Sequence, residues 1–214
     1  MTQMGFYHNT DICIGCKACI ISCKDKNDLP LGEKFRRVYD YAGCDWEVDA
    51  NGVCTPSNTF AYSVSVACNH CDSPACEAVC PTGSIVKREK DGIVLRDEST
   101  CIGCGSCVQA CPYGASYVSA ATNTARKCDF CADLIDQGEV PYCVASCSMR
   151  CLDFGDIDEL RAKYGDVSTI APLPEDTSTG PNVVFSPSRL NPDGALKGTL
   201  LNEDQELVSE TVQV

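Results

Sequence analysis

The sequence predicts an α+β fold made of two related cysteine-rich units, with a β-hairpin insertion and an extended C-terminal tail. Three observations support this fold. The 214-residue chain holds 19 cysteines, and all but three of them fall into four groups of four. Short alternating apolar segments with turn dipeptides separate the groups, which is the pattern of β-hairpins. Beyond Asp166 the chain is rich in Pro, Thr, Ser and Asn, and such a segment cannot build a core of its own.

The third cysteine group has the most specific spacing and runs from Cys101 to Pro112. It reads Cys-Ile-Gly-Cys-Gly-Ser-Cys-Val-Gln-Ala-Cys-Pro, with three cysteines two residues apart and a fourth before a proline. This is the bacterial ferredoxin spacing, in which one loop binds a 4Fe–4S cluster with three thiolates and the fourth cysteine ligates a neighbouring cluster. We therefore expect two pseudo-symmetric, bacterial-ferredoxin-like units with two clusters each.

The other three groups vary this spacing. The first group has Lys24 where the proline would stand, the second has a wider central gap, and the fourth has eleven residues in that gap. Their members are Cys13, Cys16, Cys19 and Cys23; Cys68, Cys71, Cys76 and Cys80; and Cys128, Cys131, Cys143 and Cys147. Cys44, Cys54 and Cys151 belong to no group. We expect small buried or partly exposed thiols there, with a redox-sensitive role left open for Cys151.

Two other uses of so many cysteines fit the spacing less well. Cysteines two residues apart on a tight loop are hard to join by a disulfide and are typical metal ligands. Structural zinc uses pairs of Cys-x2-Cys, often with His, whereas this chain has cysteines in fours and only two histidines. The formal net charge, 17 − 30 = −13, argues against nucleic-acid binding.

The elements of the first half follow from local patterns. A short strand is expected at residues 4–7 and a helix from Lys17 to Lys26. Residues 33–67 form the insertion, with strands from Phe35 to Tyr41 and from Phe60 to Val66 on either side of an Asn51-Gly52 turn. Trp46 lies in this insertion, and we expect it to be a packing anchor or part of a partner surface.

The inner unit is expected to comprise residues 68–118. The outer unit is expected to comprise residues 1–32 together with residues 119–165. In the inner unit Ile85 and Val86 should pair with residues 93–95 across Asp91-Gly92. Further elements are a second hairpin (116–119 with 125–127), a helical turn at 132–137, a strand at 152–154 and a helix at 157–164. Residues 166–214 are expected to be an extended tail whose apolar patches order against a partner, with plain disorder as the less favoured alternative.

The cysteine count fixes the expected ligands. Setting aside the three ungrouped cysteines leaves 19 − 3 = 16, the number of thiolates that four 4Fe–4S clusters require. The second and third groups are joined through one hairpin and exchange fourth ligands, which leaves the first and fourth groups to exchange with each other. The expected sets are Cys13, Cys16, Cys19 and Cys147 (cluster 1); Cys23, Cys128, Cys131 and Cys143 (cluster 2); Cys68, Cys71, Cys76 and Cys111 (cluster 3); and Cys80, Cys101, Cys104 and Cys107 (cluster 4).

The sequence predicts electron transfer rather than bond chemistry, and no catalytic residues are expected. It has no dinucleotide or Walker fingerprint and no nucleophile elbow. For His70, inside the second group, we favour a solvated or backbone-bonded side chain over a hydrogen bond to a cluster sulfur. Five basic residues near ligands are candidates to raise cluster potentials, with solvated surface an equally good interpretation: Lys17, Lys24, Lys26, Arg88 and Lys127. No segment approaches the roughly 20 apolar residues of a membrane helix, and the N-terminus does not resemble a signal peptide.

This order of four groups resembles the iron–sulfur (electron-transfer, beta) subunits of the dimethyl sulfoxide reductase family of molybdopterin oxidoreductases. The resemblance covers nearly the whole sequence. It is carried by Cys-Ile-Gly-Cys-Lys-Ala-Cys (13–19), Phe-Arg-Arg-Val-Tyr-Asp-Tyr-Ala-Gly (35–43) with Asp45-Trp46, Cys-Asn-His-Cys-Asp-Ser-Pro-Ala-Cys (68–76), Cys107 to Ala115 and Ala-Pro-Leu-Pro (171–174). The sequence departs from the family pattern at Ser148, where a proline is usual, and at Cys151, where a small residue is usual.

The resemblance implies a non-catalytic subunit that carries four 4Fe–4S clusters. Such a subunit relays electrons between a bis-molybdopterin guanine dinucleotide catalytic subunit and a redox partner, such as a quinol-oxidising membrane anchor. A free-standing polyferredoxin is the alternative, but the insertion and the tail suit a docked subunit better. In relatives the catalytic subunit carries the twin-arginine signal and exports its iron–sulfur partner. This implies a position peripheral to the cytoplasmic membrane on its extracytoplasmic face, although the cytoplasmic face is also compatible with the sequence.

Overall fold

The computed structural model describes residues 2–202 and consists of ten short strands and six short helices in that range. The helices are α1 (Ala18–Lys26), α2 (Ala75–Ala78), α3 (Ser106–Ala110), α4 (Ala132–Ile135), α5 (Tyr142–Ala145) and α6 (Ile157–Tyr164). The strands are β1 (Met4–Asn9), β2 (Arg37–Val48), β3 (Cys54–Val66), β4 (Ile85–Lys87), β5 (Val94–Arg96), β6 (Tyr117–Val118), β7 (Ala125–Arg126), β8 (Leu152–Asp156), β9 (Val183–Ser186) and β10 (Thr199–Leu200). None of the helices in this range is long and apolar enough to cross a bilayer.

A three-stranded sheet of order β8-β1-β9 joins the two ends of the described chain. β1 pairs with β8 in antiparallel fashion and with β9 in parallel. Helix α6 covers the sheet, with Tyr7 stacked on Tyr164 at a centroid distance of 3.6 Å. The Asp156 side chain caps α6 by accepting from the backbone N–H groups of Asp158 and Glu159. The predicted strands at 4–7 and 152–154 and the predicted helix at 157–164 are therefore confirmed.

The longest regular element is the β2–β3 hairpin, which β10 extends to a three-stranded sheet. The strands lie where the alternation predicts them, but each extends further toward the turn. The hairpin closes at the expected turn, where the Gly52 N–H donates to the Asp49 carbonyl. Its base is buried around Val38 and Val64, whereas its far half is exposed. Trp46, in that half, is 63% exposed, so within this chain it is not a packing anchor.

The two small hairpins, β4–β5 and β6–β7, lie where they were predicted, but the register of the first differs. Val86 pairs with Leu95 as expected, whereas Ile85 pairs with Arg96, and Ile93 lies outside the strand. The cause is the Asp91 side chain, which accepts from the Ile93 N–H and binds Arg88. These bonds stabilise a wider loop than a two-residue Asp-Gly turn. The predicted helix at 17–26 and the helical turn at 132–137 are also confirmed.

The described part of the tail packs on its own chain. Strand β9 pairs with β1 in the β8-β1-β9 sheet, and three of its residues are buried: Val183, Val184 and Phe185. The Tyr62 hydroxyl donates to the Ala171 carbonyl at 2.7 Å, and the Asn202 amide donates to the Val38 carbonyl at 2.9 Å. The expectation that these apolar patches order against a partner is thus wrong for β9, whose burial needs no second protein. Residues 203–214 of the predicted tail lie outside the described residues.

Candidate iron–sulfur centres

The first and fourth cysteine groups meet around one cavity, although more than 100 positions separate them in the sequence. Cys13, Cys16, Cys19 and Cys147 line this cavity together with Cys151. The loop and α1 supply the first three cysteines, and the last follows α5, which packs against α1. The Ser22 and Ser146 hydroxyls join the two helices by a hydrogen bond of 2.7 Å.

The remaining cysteines of these two groups are Cys23, Cys128, Cys131 and Cys143, and all four are buried. Burial, together with the charges of Cys143 and Cys131, raises the pKa of the Cys23 thiol to about 12. The Cys131 pKa is raised to about 11 by burial, with Asp129 and Cys143 adding to the effect. Mutual repulsion between ionised sulfurs requires that they lie close together. The four sulfurs therefore share one buried neighbourhood.

The second and third groups meet in the same crossed manner. One cavity is lined by Cys68, Cys71, Cys76 and Cys111, and a second by Cys80, Cys101, Cys104 and Cys107. Helices α2 and α3 carry Cys76 and Cys107, and they pack against each other as α1 and α5 do. Donors point at the sulfurs from the backbone and from side chains. The Ala125 N–H lies 3.3 Å from Cys101 Sγ, and the Thr179 hydroxyl of the tail lies 3.3 Å from Cys71 Sγ.

Glycines allow the two Cys-Ile-Gly-Cys loops to turn. Gly15 and Gly103 have φ of +64° and +68°, a left-handed conformation that side chains disfavour. Each also lies close to another segment. A Cβ on Gly15 would be 2.6 Å from Ser63 Oγ, and a Cβ on Gly103 would overlap the Asn123 carbonyl oxygen. Both loops therefore require glycine at this position, because the backbone has positive φ and because a neighbouring segment leaves no room for a side chain.

The donor set fits 4Fe–4S clusters. The three cavities are lined by cysteine sulfurs, with no histidine or carboxylate among their lining residues, and this is the donor set of a 4Fe–4S cluster. Without a cation, several thiolates side by side in a buried site are unfavourable: burial raises the pKa of Cys76 to about 12 and that of Cys71 to about 11. Iron removes this penalty because it binds the deprotonated form. The residues present are therefore suited to the group that the spacing predicts.

Arg36 is a buried cation that lies beside cysteines of the first and fourth groups. Its side chain is 2% exposed, and its Nε and Nη2 atoms have no hydrogen-bond partner among the described residues. Burial alone would lower its pKa, yet the charges of Cys143, Cys19, Cys128 and Cys23 raise that pKa above its ordinary value. A buried cation needs a compensating anion. Arg36 finds it in sulfurs of the first and fourth groups.

Sequence reasoning did not select Arg36. Four of the five basic residues that it did select bind carboxylates or carbonyls, although the charge of Lys26 also lowers the pKa of Cys131. Lys24 donates to three backbone carbonyls, Lys26 binds Asp133 at 2.9 Å, and Arg88 binds Asp91 and Asp136. Lys17 lies 3.7 Å from Asp40. The fifth, Lys127, is 6% exposed and donates to the Cys128 and Val94 carbonyls. Its charge partly offsets the raised pKa of Cys76.

Both histidines are buried and backbone-bonded. His70 is 1% exposed, and its Nδ1 accepts from the Val94 N–H at 3.0 Å. Its expected backbone bond is thus present, whereas the solvated alternative is wrong. Burial lowers the pKa of His70 well below its ordinary value, so the ring is neutral. The polar neighbours of His70 in the sequence gave no sign of this burial.

The three ungrouped cysteines differ in exposure. Cys44 and Cys54 are exposed on the β2–β3 hairpin, away from the cysteine groups. Cys151 is buried, as expected, and its Sγ lies 3.3 Å from Cys147 Sγ. A hydrogen bond from Cys151 lowers the pKa of Cys13 to about 4, and the same bond raises the pKa of Cys151. Cys13 is therefore the thiolate of this pair, and Cys151 is the thiol.

Comparison with known proteins agrees with this chemistry. Residues 59–157 match the model of a 4Fe–4S dicluster domain, and residues 10–27 match that of a 4Fe–4S binding domain. The sequence is 50% identical to the B subunit of the anaerobic dimethyl sulfoxide reductase of Escherichia coli (strain K12), over 94% of this protein and 97% of that subunit. It is 47% identical to the corresponding B subunit of Haemophilus influenzae, over 88% and 91%. It is 41% identical to the thiosulfate reductase electron transfer subunit PhsB of Salmonella typhi, over 73% and 78%.

Proposed function

Because the protein belongs to the family of iron–sulfur subunits of the dimethyl sulfoxide reductases, we propose that it conducts electrons through four 4Fe–4S clusters held by the nested ligand sets. It is an electron-transfer subunit with 4Fe–4S domains and a mixed α/β fold, and catalysis belongs to another subunit of the reductase complex. When bound, each cluster accepts and returns a single electron. The protein's own residues hold the clusters, exclude water and set the local charge.

The nested sets are supported by the crossed meeting of the groups. Cys147 lines the cavity of the first group rather than that of its own run, and Cys111 lines the cavity of the second group. Cys80 likewise lines the cavity of the third group. For cluster 2, support comes from the mutual effects of Cys23, Cys128, Cys131 and Cys143 on their pKa values.

The pseudo-symmetry of two units is supported by their matching helix pairs. In the proposed outer unit (1–32 plus 119–165), α1 packs on α5, and in the proposed inner unit (68–118), α2 packs on α3. Each of the four helices carries one ligand or more. Residues 33–67 are the insertion between the units, and residues 166–214 are the tail.

The order of the sets follows from their neighbours. The charge of Cys143 contributes to the raised pKa of Cys19, which connects sets 1 and 2. The charge of Cys68 contributes to the raised pKa of Cys128, which connects sets 2 and 3. Cys76 and Cys101 flank one small apolar cluster, which connects sets 3 and 4. We infer a linear arrangement of sets 1, 2, 3 and 4.

The surface properties of the end sets indicate where redox partners dock. Cys16 of set 1 and Cys104 of set 4 are exposed. Beside them, Ile14 and Ile102 are each 63% exposed. Exposed apolar groups around a redox site are typical of a contact with another protein. We assign one end to the molybdopterin catalytic subunit and the other to a second redox partner, for which a membrane anchor is the expected choice.

The outer half of the β2–β3 hairpin is proposed to bind the catalytic subunit. Trp46 and Val48 project from one face, paired with Pro56 and Cys54, and are 63% and 65% exposed. The opposite face carries acidic residues, and residues 43–58 contain no Lys or Arg. A complementary partner surface has an apolar groove with basic residues beside it. This contact would place the protein beside the membrane, on the side to which the catalytic subunit is exported.

The crossed cavities are the single observation that carries the proposal, and Cys111→Ala tests it. The anaerobically purified protein should contain about 16 iron atoms per molecule, from four 4Fe–4S clusters. Cys111→Ala should disturb the cluster of Cys68, Cys71 and Cys76 more than the cluster of Cys101, Cys104 and Cys107, as followed by electron paramagnetic resonance. Cys44→Ala, at an exposed ungrouped cysteine, is the matched control. The reverse order of disturbance would rule out the nested sets.

Co-purification separates this function from a free-standing polyferredoxin. A docked subunit should elute in native size exclusion with a large molybdenum-containing partner, identified by mass spectrometry. A stable monomer that retains all its iron and has no large partner would favour the free carrier. Protease protection in spheroplasts tests the side of the membrane, since an exported complex becomes accessible when the outer layers are removed.

A further inference from the structure

Two buried donors that are not among the sixteen proposed ligands lie against set 1. Cys151 is 4% exposed, and its sulfur lies 3.3 Å from that of Cys147. A ring nitrogen of His8 and the sulfurs of Cys13 and Cys151 all lie within 4.8 Å of one another. His8 is itself only 1% exposed. Cys151 is therefore next to two ligands that come from opposite ends of the sequence.

The hydrogen bonds of His8 determine which nitrogen carries its proton. His8 Nε2 lies 3.1 Å from the Ser65 backbone nitrogen, an N–H that can only donate. Nε2 must therefore accept, and its 3.3 Å contact with the Ser63 carbonyl is not a hydrogen bond. In the neutral ring the proton is then on Nδ1. Nδ1 is buried and has no hydrogen-bond partner among the described residues, and the Cys13 and Cys151 sulfurs, within 4.8 Å of a ring nitrogen, are acceptors that a small movement would bring into reach.

The protonation of the sulfurs follows from ligation. Cysteines that bind iron do so as thiolates, so Cys13 and Cys147 have no S–H to donate. Cys151 is the fifth cysteine at this cavity and exceeds the four ligands that a 4Fe–4S cluster needs. It therefore retains its proton and can donate to a neighbouring thiolate.

We propose that Cys151 Sγ–H and His8 Nδ1–H donate hydrogen bonds to the ligand sulfurs of cluster 1 and thereby raise its reduction potential. The inference rests on the proposed assignment of set 1. A donor stabilises the more negative, reduced cluster more than the oxidised one, and hydrogen bonds to sulfur are among the means by which proteins set such potentials. His8 and Cys151 are positioning residues, and neither binds iron.

The test is a redox titration of the intact complex monitored by electron paramagnetic resonance. Cys151→Ala should lower the potential of one cluster, with a severalfold to tenfold change in its reduction equilibrium. Tenfold corresponds to about 59 mV for one electron. Cys151→Ser should restore most of the shift, because its O–H still donates. His8→Leu should lower the same potential, and Cys54→Ala, at an exposed thiol, should change nothing.

Each other outcome overturns the inference. An unchanged potential in Cys151→Ala with full iron content would show that the thiol does not act on the cluster. Equal shifts in the Ala and Ser variants would show an effect of packing alone. Loss of one cluster's iron would make Cys151 a ligand. Failure of the proposed function is distinguishable, since wild-type protein would then lack the iron of four clusters, or Cys147→Ala would leave every cluster intact.

Discussion

Replacing Arg36 by Met is the perturbation whose effect should depend most on whether the clusters are present. The Arg36 guanidinium lies 4.8 Å from the centre of the Phe6 ring, and its Nη1 donates to Ser65 Oγ at 3.2 Å. No carboxylate forms an ion pair with it among residues 2–202. The negative groups that act on it are cysteines of sets 1 and 2. Met has a similar length and carries no charge.

The magnitude follows from the burial of that charge. Removing one partner of a buried ion pair costs about 3–5 kcal/mol, because the other partner is left uncompensated. We therefore expect Arg36→Met to destabilise the iron-loaded protein by about 3 kcal/mol. In the iron-free protein burial raises the pKa of Cys19, Cys23 and Cys128, so these thiols keep their protons and Arg36 loses the anions nearest to it. The same substitution should leave that form unchanged or make it more stable.

The assay is urea unfolding of both forms under anaerobic conditions, followed by circular dichroism and by loss of cluster absorbance. Removal of a positive charge should also lower the reduction potentials of clusters 1 and 2 and leave cluster 4 unchanged. Arg37→Met is the matched control, since Arg37 is also buried but donates to the Tyr113 carbonyl. Equal destabilisation of the iron-loaded and iron-free forms by Arg36→Met would refute the reasoning.

Three further predictions concern the loops, the hairpin and the acid side of the stability profile. Gly103→Ala should lose iron from cluster 4 and unfold more readily than Gly52→Ala. Both glycines have positive φ, a conformation that destabilises the fold by about 1–2 kcal/mol when the residue carries a side chain. Of the two, only Gly103 faces a carbonyl oxygen. Equal iron contents of the two variants would contradict the prediction. Trp46→Ala should weaken binding of the catalytic subunit about thirtyfold, because a Trp buried in an interface contributes about 2 kcal/mol or more to binding. Thr55→Ala, on the other face of the hairpin, should leave the affinity unchanged. Pull-down titration measures both affinities, and an unaltered affinity of Trp46→Ala would count against the hairpin contact. Hydrogen bonds from Lys90 and then Arg88 lower the pKa of Asp136. The carboxylate therefore stabilises the fold above its unfolded-state pKa, and this contribution is lost as the pH falls through the lower pKa of the folded state. Asp136→Asn should flatten the decline in unfolding temperature below about pH 4, and an unchanged profile would contradict the assignment.

The cysteine groups could be recognised from the sequence because iron geometry imposes a local spacing. The same holds for Asn51-Gly52 and for Asp156 with α6, where the signal lies within a few residues. Strand length was less predictable. The outer half of β2–β3 is exposed on both faces, so it has no apolar alternation that marks its extent.

Long-range burial of polar groups could not be predicted from neighbouring residues. Arg36 lies in a strand-like segment, where alternation allows a solvent-facing arginine. Its buried side chain contacts Ser65 and Phe6 and senses the charges of Cys128 and Cys143, all of which are distant in the sequence. His70 is flanked by Asn69 and Cys71 and was expected in a loop, yet the ring of Phe130 covers it at a centroid distance of 5.2 Å. Cys151 was recognised as unusual, but its contact with Cys147 depends on how the two groups fold together.

The placement of the buried cations follows one electrostatic rule. At the two end sets, Cys16 and Cys104 are exposed, and water can screen their charge. All four cysteines of set 2 are buried, and those of set 3 are buried or half-buried, so screening is weaker there than at Cys16 and Cys104, and each added electron makes the local charge more negative. Arg36 acts on set 2 from the side of set 1, and Lys127 adjoins Cys128 and acts on Cys76 of set 3. A protein with a net charge of −13 thus places two of its few basic groups inside, where solvent cannot compensate the thiolates. If this rule holds, Lys127→Met should shift the potentials of clusters 2 and 3 together in the same titrations, whereas Lys90→Met at the surface should shift neither.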